Sequence, residues 1–123
     1  MCGRFALIVD ASVLADVFDV DPPRQLSPRF NIAPTQTVPI IRSSRESSRE
    51  CAMVRWGLVP AWAMDETNGS RISTARGGCR AVGASGRTAV KSRRGRIGAG
   101  VVFEWGRRGE GQRRRLFPCV GGR

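Results

Sequence analysis

The chain contains no histidine. That removes the commonest general base near neutral pH, and with it any Ser-His-Asp or Cys-His pair. Catalysis would have to rely on carboxylates, amines or the chain N-terminus. The absence also strips the four cysteines (Cys2, Cys51, Cys79 and Cys119) of the usual co-ligand of a zinc site, and no Cys-x-x-Cys pair occurs. Scattered reduced thiols are therefore expected, with no metal and no other cofactor. No apolar run reaches the roughly 20 residues needed to cross a bilayer. The N-terminus lacks the charged-then-apolar pattern of a secretory signal. A cytoplasmic protein with no membrane partner is the expectation, and 123 residues make at most one ordinary domain. No internal repeat is present.

Acidic residues are scarce in one half only. Residues 1–71 carry eight arginines and eight acids, whereas residues 72–123 carry twelve arginines, Lys91 and only Glu104 and Glu110. The whole excess of +11 thus lies after residue 71, together with twelve of the fifteen glycines. A cationic segment of that kind attracts any polyanion through counterion release, without a designed site. The chain divides accordingly into a neutral, patterned part, 1–71, and a basic Gly/Arg-rich part, 72–123.

In the first part, Phe5-Ala6-Leu7-Ile8-Val9 suits a buried strand. Asp10 and Ser12 are candidate N-caps of a helix whose Val13, Leu14, Val17 and Phe18 fall on one face, and Asp21-Pro22-Pro23 ends it. Residues 24–36 read as an extended loop. Val38 to Ile41 reads as an edge strand, since Pro39 lacks a donor. Ser43 to Glu50 is a polar hairpin loop, and Cys51 to Trp56 the returning strand. Gly57 to Trp62 forms a rigid turn. In the second part, Gly77 to Gly100 shows no sustained period of 3.6 or 2 and resembles a flexible basic segment. Val101-Val102-Phe103-Glu104-Trp105 is an island of strand propensity, and Gly106 to Arg123 is again rich in Arg and Gly.

Cys2 is the residue with the most distinctive chemistry. Removal of Met1, expected because residue 2 is small, leaves a free α-amine and a thiol on adjacent carbons. The two titrate at roughly 7.7–8 and about 8.5, so reactive forms of both exist near neutrality. An aldehyde condenses with the amine to give an imine. The thiol then closes on the imine carbon to give a thiazolidine ring.

Three segments carry a family resemblance. Met1-Cys2-Gly3-Arg4-Phe5, Arg29-Phe30-Asn31-Ile32-Ala33-Pro34-Thr35-Gln36 and Arg55-Trp56-Gly57-Leu58-Val59-Pro60-Ala61-Trp62 resemble, in order and spacing, the N-terminal signatures of the SOS response-associated peptidase (SRAP) family of abasic-site processing proteins. Ile72-Ser73-Thr74-Ala75-Arg76 is similar to the family's Ile-Asn-Ala-Arg segment, and Phe103-Glu104-Trp105 to the end of its Gly-Phe-Tyr-Glu-Trp motif. The resemblance implies an α+β fold around a β-barrel-type core with a short N-terminal helix and a groove for single-stranded DNA. It implies that the N-terminal cysteine, exposed by autoproteolytic loss of Met1, captures the aldehyde of an abasic deoxyribose as a thiazolidine cross-link. Departures from the pattern begin after residue 71. Ser73 and Thr74 stand where the family has asparagine, Gly77-Gly78 replaces an acid, and the late His-x-Arg-Met-Pro segment has no counterpart. Residues 72–123 are accordingly expected to be a truncated or frame-shifted remainder of the same domain, poorly ordered.

On this reading Cys2 and Glu104 are the catalytic residues, Glu104 moving the protons that imine formation and ring closure require. Arg4 and Arg76 would contact phosphate. Asn31 would hydrogen-bond the sugar or position the N-terminus, unless it is a turn former. Pro34 and Thr35 would shape the groove. Trp56 and Trp62 could stack on bases, or one of them could pack in the core, and Trp105 would flank the site. The expected partner is single-stranded DNA bearing abasic sites, met by a monomer in the cytoplasm, nucleoid-associated when bound. Two alternatives stand beside it: an inactive remnant that binds nucleic acid through its basic tail, and a cysteine peptidase.

Overall fold

A computed structural model describes residues 3–24, 26–46, 48–75, 86–108 and 111–119. Its organising element is strand β1, Arg4–Leu7, where apolar side chains coincide with nearly complete burial of Phe5, Ala6 and Leu7. β1 lies inside a four-stranded antiparallel sheet of order β2-β1-β5-β6. Here β2 is Arg29–Ile32, β5 is Val101–Arg108 and β6 is Gly111–Pro118. The strands β3, Thr37–Ser43, and β4, Arg49–Arg55, form a separate antiparallel hairpin.

One apolar cluster holds these parts together. Phe5 and Leu7 of β1, Ile32 of β2, and Val38 and Ile41 of β3 meet Leu14 of helix α1, Ala11–Phe18. Burial of each such side chain contributes about 1.5–3 kcal/mol. Helix α1 places only part of its apolar set inward. Leu14 is buried and Phe18 packs on the cluster, but Val17 is 69% exposed and Val13 also faces outward. The inward stripe is the i, i+4 pair Leu14 and Phe18, narrower than the four-residue face expected. The helix also stops before the prolines. Asp19 turns left-handed at φ 54°, and the Val20 amide returns to the Ala15 carbonyl at 3.2 Å. Asp10 occupies the N-cap position without a side-chain cap.

The loop expected over residues 24–36 contains β2. Its four residues show no clean alternation, and the strand is defined by pairing Ile32 with Phe5 and Arg29 with Leu7 across an irregular step. Pro39 does sit in an edge strand, opposite Met53. In residues 72–123, expected to be poorly ordered, the described residues carry helix α2, Arg87–Ser92, then β5 and β6. Arg96 is tied to β3 by reciprocal backbone bonds with Ile41, each 2.8 Å. Among the described residues the strands make two separate sheets and close no barrel. No helix among them is long and apolar enough to cross a membrane.

Candidate active site

The register of the four-stranded sheet sorts its residues onto two faces. Phe5 pairs with Val102 and with Ile32, so these share the face that covers the core. Arg4 pairs with Phe103, and Trp105 follows two residues on, so Arg4, Phe103 and Trp105 belong to the opposite face. The pairing of Trp105 with Arg114 and of Phe103 with Leu116 extends that face onto β6. The Arg114 guanidinium lies 5.1 Å from the centroid of the Phe103 ring, which holds a cation against an aromatic wall. On the β2 side, Arg4 Nη1 donates to Asn31 Oδ1 at 3.0 Å. Two predicted site residues 27 positions apart are thus joined, and the bond fixes the Asn31 amide.

Trp105 defines the other end of this face. A Cβ placed on Gly3 would come within 3.3 Å of Trp105 Cζ3. The backbone at Gly3 therefore lies against the indole, which remains 38% exposed. Glu104, half-buried, points to the other face and pairs across the ladder with Arg115, an opposite-charge pair. Cys2 and Arg76 lie outside the described residues. Cys2 immediately precedes the glycine beneath the indole.

Pro34 and Thr35 form a tight turn in which the Gln36 amide returns to the Ala33 carbonyl at 3.3 Å. Thr35 adopts φ 74°, the left-handed value that position i+2 of a type II turn demands and that a β-branched residue resists. Gln36 clamps the turn: its Oε1 accepts from the Ala33 amide at 3.2 Å and from Arg29 Nη2 at 2.5 Å. Strain of this kind costs about 1–2 kcal/mol. Thr35→Gly is expected to stabilise the fold by a net ~0.5–1 kcal/mol after the entropy of the freer unfolded chain. A rise in urea midpoint at constant slope is the readout, and a fall would mean that the threonine side chain itself holds the turn.

Trp56 is engaged on three sides. Its indole Nε1 donates to the Ser73 carbonyl at 2.9 Å, and its ring tilts at 55° against Phe5 with centroids 5.3 Å apart. Its backbone exchanges bonds with Gln36 and Thr35. It therefore positions the Thr35 turn and the segment 72–75 against β1, whereas Trp62 is exposed. Burial pushes the Cys51 thiol up, which leaves it protonated at neutral pH and a poor nucleophile. Asp65 accepts from the Thr67 hydroxyl and amide, and both contacts hold its carboxyl below the usual range. No cluster of three or more His, Cys, Asp or Glu able to hold a metal occurs among the described residues.

Comparison with known proteins gives the lineage of this arrangement. The family described as SOS response associated peptidase (SRAP) matches residues 1–119. The chain belongs to the SRAP family. It is 34% identical over 110 residues to the abasic site processing proteins YoqW and YoaM of Bacillus subtilis strain 168, and 33% identical to YobE of the same strain. The alignments cover 87% of this chain, and the chain spans about half the length of these relatives, 48–50%. The SRAP match runs through the change of composition at residue 72. Sequence reasoning named Arg4, Asn31 and Trp105 but not what joins them. Gly3 and Gln36 were overlooked as individual contributors, although both stand inside the motif segments. The Ser73 carbonyl acts through its backbone, which no residue pattern announces.

Proposed function

We propose that this SRAP protein senses abasic sites in single-stranded DNA and cross-links to them through Cys2. Hydrolysis of the Met1–Cys2 bond comes first and frees the aminothiol. The amine then condenses with the ring-opened sugar aldehyde, forming a C=N bond and releasing water. The thiol sulfur adds to the imine carbon, its proton passing to nitrogen, and a thiazolidine results. Glu104, next to Trp105 on β5 but on the alternate face of the sheet, is the group assigned to these proton transfers. Arg4, with Arg76, takes the flanking phosphates, Asn31 the sugar, and Trp105 a base face. Stacking of that kind is worth about 1–3 kcal/mol per base. Pro34, Thr35 and Trp56 shape the groove. The protein acts as a cytoplasmic monomer without metal, and residues 1–71 and 72–123 are the two parts of one domain around a barrel-type core.

The observation that supports this reading best is the contact of Gly3 with the Trp105 indole. It seats the residue after Cys2 on an aromatic surface, on the face where Arg4 is bonded to Asn31. An oligonucleotide with one abasic site, and the same oligonucleotide after borohydride reduction, test it. Mass spectrometry should find a covalent adduct, lighter by one water than the sum of its parts, with the aldehyde form alone. Equal adduct with the reduced form, or none with either, would overturn the proposal.

A further inference from the structure

A second concentration of positive charge lies apart from the sheet face of Arg4, Asn31 and Trp105. Arg42 of β3, Arg49 of β4, and Arg94 and Arg96 from the segment after α2 line one open cavity of about 430 Å³, with Phe18 and Ile41 among its walls. Four guanidiniums from three parts of the chain repel one another when brought together. Of these four arginines, Arg42 alone has a carboxylate partner among the described residues, Glu50, at 2.6 Å. Arg49 and Arg94 donate to the carbonyls of Phe18 and Val90, at 3.2 and 2.5 Å. These bonds orient the side chains and leave their charge uncompensated.

The cavity is also held in shape. The reciprocal Ile41–Arg96 backbone bonds fix the segment to β3. Gly95 lies so close to β3 that a Cβ there would come within 2.8 Å of Ile40 Cδ1 and 3.2 Å of the Ile41 carbonyl. A preorganised set of arginines with an excess of three charges over Glu50 suits an anion with several phosphate groups. Trp56 and Gln36 mark the end of the hairpin nearest Phe5, and Arg42 lies six residues further along β3. At strand spacing that is about 20 Å, or about six nucleotides at the duplex rise of one strand and fewer in an extended strand.

We propose that this cavity is a second phosphate-backbone site, which takes the flank of the DNA whose abasic sugar meets Cys2. The inference rests on the DNA reading above but not on its cross-linking step. Its test uses undamaged thymidine oligonucleotides of 6 and 20 residues, followed by fluorescence anisotropy on the full chain. The double variant R49Q/R96Q should weaken the 20-mer about five-fold or more, leave the 6-mer within two-fold, and lower the salt slope for the 20-mer by about 1.4. Glu50→Gln, which removes the one carboxylate without creating a buried charge, should strengthen the 20-mer alone. A 20-mer with uncharged methylphosphonate linkages in its flank should be indifferent to either change. Equal loss on both lengths, or unchanged binding of the 20-mer by all variants, would overturn the flank assignment. Failure of the abasic adduct with these length effects intact would strike the proposed chemistry at Cys2 and leave this site standing.

Discussion

A Cys2→Ser protein is expected to give no stable adduct with abasic single-stranded DNA. Serine keeps the N-terminal amine, so an imine still forms and hydrolyses. Its hydroxyl is a weak nucleophile toward that imine, and the oxygen ring opens again readily, so the product is not trapped. The substitution removes one sulfur and leaves Gly3, Arg4, Asn31 and Trp105 as they are. Non-covalent affinity for undamaged DNA should therefore stay within two-fold while the adduct mass disappears. Neither described cysteine substitutes readily, since burial raises the Cys51 thiol and neither it nor Cys119 carries an adjacent free amine. A Ser variant that cross-links as well as the parent would remove Cys2 from the mechanism.

The largest loss of stability is expected from Gly57→Ala. Gly57 has φ 136°, a conformation that side-chain-bearing residues avoid. A Cβ there would stand 2.2 Å from the Gly69 carbonyl oxygen and 2.7 Å from its carbon. Neither atom belongs to a flexible side chain, so backbone must move. The segment that would give way includes the Leu58–Ile72 hydrogen bond, 2.9 Å, and next to it the Ser73 carbonyl that holds Trp56. Backbone strain alone costs about 1–3 kcal/mol, and the displaced contacts raise the expected loss to about 3 kcal/mol or more. That is a large share of the ~5–15 kcal/mol of a typical domain. Urea denaturation measures it, and a change below about 0.5 kcal/mol would show that residues 57 and 69 do not meet as described.

Family membership was legible from three short motif segments, because each mixes residue types that composition alone would not bring together. The fold was legible where side-chain pattern and burial agree. Val38 to Ile41 lies within β3, Cys51 to Arg55 lies within β4 with Trp56 just beyond its end, and the island from Val101 to Trp105 is the first part of β5. Elements made by pairing rather than burial gave no such signal. β2 hides between Pro28 and Pro34, and every residue of β6 is exposed, its place set by the ladder with β5. α2 buries nothing, so it has no inward stripe to detect. At the candidate site the residue types could be named, but the Arg4–Asn31 bond and the Gly3–Trp105 contact join positions 27 and 102 residues apart. Only the sheet register brings them together.

That register has a consequence for the newborn chain. β1 pairs with β2 early, but with β5 through Arg4 and Phe103, so the first strand made waits for almost the whole described chain before its second neighbour exists. At about 5–20 residues per second of synthesis, the delay is roughly 5–20 s. Once Met1 is gone, the Cys2 aminothiol that we propose as the reactive group would be chemically competent throughout that interval, before Trp105 and the rest of β5 have been made. Any small metabolic aldehyde met during translation would close the same ring and retire the molecule before it folds. Under the proposed chemistry the timing of Met1 removal relative to the arrival of β5 would act as a safety catch, since an N-terminus that stayed blocked until the sheet had assembled would keep the cysteine for DNA.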